Sequence, residues 1–374
     1  MSLKELFNKN ENRTPAQIVC QDVLKIKKGE RVLIISNPSK ADIAQDFFLA
    51  ASSLSALPTL IFQGEKTSFD NANPEVLAAI ASQPEVCLSI SSVKLGKDPE
   101  GNNHPYIAED GTKYNHIFDY LLSGKKTMRA VWTPGITVDM MNRTAAIDYK
   151  ELQSRCGQLA QIFENAVNVH VTSPGGTDIN IPVKGRKLLF DNGDFSQPGS
   201  GGNIPAGEVF ISPLVGESEG TIVYDGSMTF DDGDALLENP IICKVEKGFV
   251  TEIKGKEEAR RLLKTITEAE NRSVNYEKEG KLTAGQGAIY KKNARNIGEL
   301  GIGLNPAAKI TGNMLEDEKA FHTCHFAIGE NYDNDAPSLI HLDGLVKEPS
   351  ICLTYQDGSQ KVIMENGELK TQIN

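Results

Sequence analysis

The chain has 374 residues, 39% hydrophobic and 24% charged, which is the composition of a folded protein rather than a disordered one. Its 39 basic and 50 acidic side chains leave a net charge of −11, which argues against the basic field that nucleic acid or an anionic membrane attracts. No apolar run nears the roughly 18 residues of a membrane helix. The opening MSLKELFNKNENRT has no apolar signal core, so a cytoplasmic protein without nucleic-acid or membrane partners is expected.

The length suggests about two domains. In the first half, Val32–Ser36 reads as a buried strand, followed by the turn Asn37-Pro38-Ser39 with Ser39 placed as an N-cap. Residues 40–56 carry helical spacing of Ile43, Phe47, Leu49 and Leu54. Leu60–Phe62 is a second strand, Pro74–Leu77 opens a helix, and Val86–Ile90 and Met128–Trp132 are further strands. Strands separated by helices imply βαβ units and a mostly parallel sheet. No glycine-rich dinucleotide or phosphate loop follows the first strand, so the resemblance to a Rossmann layout carries no bound nucleotide.

A helix from Asp148 to about Glu164 places Leu152, Cys156, Leu159 and Phe163 on one face. Beyond it the texture changes. Alternating runs such as Val167–Thr172 and Ile179–Ile181 are punctuated by Asp191-Asn192-Gly193, Asp231-Asp232-Gly233, Asp357-Gly358 and Asn366-Gly367. This is hairpin grammar and predicts an antiparallel sheet, interrupted by one helix from Glu257 to about Glu270. The expected architecture is a Rossmann-like parallel α/β domain over residues 1–166 and an antiparallel β-rich metal-binding domain over 167–374.

Chemistry concentrates in the second half. His341 and Asp343 sit at i and i+2, so a strand would present an imidazole and a carboxylate on one face, a clip for a divalent metal. His322 and His325 would share a face only in a helix. The Phe326–Gly329 run predicts a strand, which leaves one of the two as ligand. Glu208 and Glu299 lie in apolar runs where a carboxylate is costly unless paired or metal-bound, and the glycines around Glu299 suggest a close backbone approach. The six cysteines are scattered without a Cys-x-x-Cys pair and read as reduced, mostly buried thiols, Cys324 among them.

Taken together, several segments resemble the aminopeptidase T / aminopeptidase S family of metalloaminopeptidases over nearly the whole chain. They are Asn203–Phe210 with Ser218–Thr221, Ile297–Gly303, His325–Gly329 and Ile340–Asp343, preceded by Asn12–Glu30 and the stretch Leu152–Asp191. The resemblance implies five metal ligands, Glu208, Glu299, His325, His341 and Asp343, and an active-site tyrosine, Tyr332, seven residues after His325. It also implies cleavage of N-terminal residues from peptides with a free N-terminus, and a homodimer. Five ligands exceed the need of one four-coordinate zinc. They suit two divalent ions about 3.5–4 Å apart, zinc or cobalt first, with manganese or magnesium as alternatives. In that reading Tyr332 and Glu208 are the catalytic side chains, with Tyr332 donating to the oxyanion.

One departure and one related branch bear on this reading. The stretch Leu315–His322 is two residues longer than the family pattern between its acidic cluster and His325. A related branch, the iron-dependent ring-cleaving 2,5-dihydroxypyridine 5,6-dioxygenases, lacks the first-motif glutamate and has histidine for the second. Both glutamates are present here, which favours the peptidase. The alternatives are a mononuclear iron dioxygenase using His325, His341 and one carboxylate, or a non-catalytic binding protein retaining the fold.

Overall fold

The computed structural model describes residues 13–67 and 70–370, so the opening MSLKELFNKNEN lies outside the described residues. Two compact units emerge, one of Met1–Gln153 with Asp191–Ala206, the other of Ser154–Phe190 with Gly207–Asn374.

The first unit is built on a five-stranded parallel sheet in the order Gly201–Asn203, Arg129–Trp132, Val86–Ile90, Arg31–Ser36, Leu57–Phe62. Val86–Ile90 is buried at every position and Arg31–Ser36 at all but the first, the continuous apolar pattern of strands covered on both faces. Leu57–Phe62, at the edge, is half exposed. Helices Ala41–Ser53 and Pro74–Ala81 bury Phe47 and Ala44, and Val76 and Ile80, respectively. Ser39 is not an N-cap. A 3-10 turn, Pro38–Lys40, precedes the helix, and the Ser39 hydroxyl is bonded to Glu65 at 2.7 Å and to Ser92 at 2.8 Å. Within this sheet Arg129 is buried and fully engaged. Its guanidinium donates to the Leu24 carbonyl at 2.7 Å and to both Glu30 carboxylate oxygens at 3.0 and 2.5 Å.

The second unit contains an eight-stranded antiparallel sheet and a seven-stranded sheet. Asn366-Gly367 closes a two-residue hairpin with φ of 48° and 79°, the left-handed pair a type I′ turn requires. Lys247-Gly248 closes another with φ of 50° and 75°. That turn is hidden in the sequence because lysine is not a left-handed-turn residue. The helix begins at Glu257 and runs to Lys278. Its apolar stripe of Ala259, Leu262, Ile266 and Ala269 is continued by buried Ser273, whose hydroxyl donates to the Ala269 carbonyl at 2.8 Å, so the helix outlasts its apolar pattern.

Candidate metal centre

The centre lies on the seven-stranded sheet, where Glu208–Ile211, Ile297–Gly303, Thr323–Gly329 and His341–Lys347 are successive antiparallel neighbours. Register decides the rest. Glu208 is opposite Gly303, Gly301 is opposite His325, and Ala327 is opposite Asp343. Side chains alternate along a strand, and directly opposed residues share a face. Glu208, Glu299, His325, His341 and Asp343 therefore all project from one face. Cys324, one residue out of phase, turns to the other side, where burial raises its thiol far above its ordinary range.

Glycine makes the space. A Cβ at Gly301 would lie 2.0 Å from His325 Nε2, so only glycine lets the imidazole lie across the neighbouring strand. At Gly298 a Cβ would meet the Glu330 carbonyl oxygen at 2.2 Å, where the pairing register shifts beside Glu299.

The five side chains converge. His325 Nε2 lies 3.0 Å from Glu299 Oε1 and 3.4 Å from Glu208 Oε2. His341 Nε2 lies 3.4 Å from Glu299 Oε2 and 3.3 Å from Asp343 Oδ1. Glu299 thus sits between the two imidazoles. His341 Nδ1 faces the Glu330 carbonyl oxygen at 2.9 Å. A carbonyl only accepts, so that nitrogen carries the proton and, in the neutral ring, Nε2 offers its lone pair to the cluster.

Burial opposes charge on His325, yet the carboxylates of Glu299, Glu208 and Asp343 push it up to about 9. His341 is raised in the same way by Asp343 and Glu299. Burial also opposes ionisation of Glu299, but the two imidazoles hold it well below the usual carboxylate range.

Tyr332 packs its ring at 54° to Phe210, with centroids 4.9 Å apart, and edge-on to His341 at 5.4 Å. Its loop is fastened by Arg186, which binds Asp335 at 2.7 Å and Asp333 at 3.4 Å. The residue keeps 53% of its surface. Desolvation first, then the carboxylates of Glu299 and Asp343, keeps its phenol protonated far above the ordinary range. His322 takes no part, since its Nδ1 lies 3.0 Å from the Gly367 carbonyl and 3.4 Å from Glu368.

Sequence reasoning missed two members of this neighbourhood. Lys319 is wholly buried, with Nζ 2.5 Å from Glu208 Oε1 and a second ion pair to Glu318. Burial pushes the Glu318 carboxyl up to about 8, against the pull of Lys319. The run Glu316-Asp317-Glu318-Lys319 reads as a solvated charge cluster. In fact Glu316 and Asp317 are buried and accept backbone N–H groups of Lys309, Thr311 and Gly312.

Donor chemistry and unsatisfied atoms both fit a divalent metal. Glu208 Oε2, Glu299 Oε2 and Asp343 Oδ1 are buried without a hydrogen bond. Among the described residues three metal-sized sets form: Glu208–Glu299–His325, Glu299–His341–Asp343 and Glu318–His325–Asp343. None combines both imidazoles, because His325 and His341 sit on opposite oxygens of Glu299.

A concave region elsewhere, about 330 Å³ and lined by Ser89, Ser91, Lys94 and Trp132, sits beside the ends of parallel strands and holds no such donor set among the described residues.

Residues 123–353 match the NicX family profile, described as 2,5-dihydroxypyridine 5,6-dioxygenase. The 2,5-dihydroxypyridine 5,6-dioxygenase of Pseudomonas putida KT2440 is 31% identical over 165 residues, which cover 42% of this chain and only 39% of that protein. The solved structure of 2,5-dihydroxypyridine dioxygenase from Pseudomonas putida KT2440 superposes with a TM-score of 0.67 at 18% identity, covering 96% of this chain and 97% of that one. Wild-type AmpT from Thermus thermophilus superposes with a TM-score of 0.64 at 17% identity, covering 99% and 100%. The peptidase resemblance is thus shared at the level of fold. The family profile and the curated relative both fall in the dioxygenase branch, although Glu208 and Glu299 are retained.

Proposed function

Because the chain belongs to the NicX family, we propose that it is a metal-dependent ring-cleaving dioxygenase acting on a hydroxylated aromatic ring of the dihydroxypyridine kind. The observation that carries this reading is the set Glu299–His341–Asp343, which lies wholly within the matched segment and has carboxylate oxygens without hydrogen bonds. These three residues would hold the metal. It departs from the usual two-histidine, one-carboxylate iron site by offering one histidine and two carboxylates. When bound, iron(II) supplies the redox and Lewis-acid chemistry.

The protein's own groups do the rest. Glu330 fixes the His341 ring through its carbonyl, and His325 orients Glu299 by a hydrogen bond. Phe210 and Tyr332 form an aromatic wall beside His341, suited to hold a planar ring, and the neutral Tyr332 phenol can donate to a ring oxygen.

A second reading has one observation in its favour. Glu299 belongs to two metal-sized sets, as a bridging carboxylate would in a two-metal aminopeptidase. There Tyr332 donates to the oxyanion and the substrate is a peptide with a free N-terminus. One experiment separates the two. Oxygen uptake matched by loss of the ring absorbance of 2,5-dihydroxypyridine, in protein loaded anaerobically with iron(II), supports the dioxygenase. Release of p-nitroaniline from amino-acid p-nitroanilides by the zinc or cobalt form, without oxygen uptake, transfers the assignment to the peptidase.

A further inference from the structure

We propose that Lys319 is a built-in cation occupying the Glu208 half of the cluster, so that the centre takes one divalent metal, at Glu299–His341–Asp343, and not two. The inference rests on the metal-enzyme reading above and deepens it.

The position of the ammonium comes first. Lys319 is wholly buried, and its backbone is pinned on both sides. Its N–H donates to the Glu316 carbonyl at 3.0 Å, and its own carbonyl accepts from Asn305 N–H at 2.9 Å. Its Nζ is bound to Glu208 and to Glu318. Of the three metal-sized sets, one contains Glu208 and another contains Glu318. Each therefore has a carboxylate already committed to an ammonium. The set Glu299–His341–Asp343 is held by neither of these ion pairs.

Charge points the same way. With Glu318 ionised in its pair, Glu208, Glu299, Asp343 and Glu318 bring four negative charges and Lys319 returns one positive charge. One divalent ion offsets most of the remaining three, whereas a second would turn the buried centre positive and bring a dication against a fixed ammonium. Displacing Lys319 instead would strand a buried ammonium, which is costly.

The test is metal stoichiometry. Protein stripped with chelator is titrated with manganese(II) and followed by calorimetry, elemental analysis and electron paramagnetic resonance. Wild type should bind one ion per chain with the spectrum of an isolated manganese. Lys319→Met, which keeps the length of the stem and removes the charge, should bind two and show a coupled pair. Glu208→Gln added to Lys319→Met should return the count to one, and Lys319→Arg should stay at one. Two ions in wild type would overturn the role of Lys319 while leaving a metal centre standing, as would a folded Lys319→Met protein that still binds one. No binding in wild type, unchanged by His341→Ala, would overturn both the role and the metal reading. Should Lys319→Met fail to fold, the wild-type count and spectrum decide alone.

Discussion

Two buried charge clusters in this protein are built to opposite specifications. In the parallel-sheet unit, Arg129 meets the Leu24 carbonyl and both oxygens of Glu30. In the antiparallel unit, Glu208, Glu299 and Asp343 each keep a buried oxygen without a hydrogen bond, although imidazoles lie within 3.4 Å. A buried charge that is fully bonded holds a structure together. One left short of partners in a crowd of like charges is poised for a cation. The contrast teaches that burial of charge does not identify a site, whereas several unsatisfied carboxylate oxygens converging within reach of one ion do.

The largest test of this contrast removes a metal ligand. His341→Ala or Asp343→Ala should abolish metal retention and activity, by more than the roughly 100-fold upper end of an outer-shell change. Elemental analysis after dialysis reads the result, and full metal content in either variant would refute the set. Arg129→Ala should do the reverse. It should cost about 1–3 kcal/mol in denaturant unfolding, because the partly buried Glu30 loses its charged partner and keeps only the Lys27 N–H, with metal stoichiometry unchanged.

Tyr332→Phe comes next and sharpens the choice of reaction. In the two-metal peptidase it should lower kcat by roughly 10²–10³, the effect of one oxyanion donor. In the dioxygenase, losing one hydrogen bond of about 1 kcal/mol should weaken ring binding less than about tenfold.

The effect of pH on the metal-free protein is smaller. His325 is raised from 6.5 to about 9 and His341 is raised as well, so their stabilisation is complete below about 6.5 and is lost as pH climbs toward 9. Glu299 is lowered from 4.5, so its contribution is present above about 4.5 and is lost in strong acid. The Tm of the chelated protein should therefore peak between about pH 4.5 and 6.5 and fall by pH 9. Metal affinity should rise over that same alkaline interval as the imidazoles release protons. A flat Tm from pH 6 to 9 would contradict the ion pairing described. Smallest of all, Ser39→Ala should shift stability by less than about 0.5 kcal/mol, since its hydroxyl bonds exposed side chains. A loss near 1 kcal/mol would restore it as a helix cap.

Much of this was legible because it rests on local rules. Period-3.6 and period-2 patterns reveal the helices and strands around Leu152–Phe163 and Val86–Ile90, and i, i+2 parity places His341 beside Asp343. The strand character of Phe326–Gly329 separates His325 from His322. What escaped depends on partners distant in the chain. Gly201–Asn203 has too few apolar atoms to announce itself as a strand, and only its pairing with Arg129–Trp132 makes it one. Lys319 looks solvated until the fold closes over it, and no spacing rule shows that an ammonium meets Glu208, 111 residues away. The separation of the two imidazoles by Glu299 is likewise a matter of rotamers and register.

The route of the chain has a consequence for biosynthesis. The first unit draws its last strand from Gly201–Asn203, after the chain has already laid down Ser154–Phe190 in the other unit. A ribosome-bound chain that has emerged only to Gln153 holds four of the five parallel strands, with Arg129–Trp132 as an open edge. Such an edge is a template for pairing with a neighbour. Neither unit can be released as a single contiguous fragment, and a stalled or truncated product ending near Gln153 should be far more prone to aggregation than the full chain.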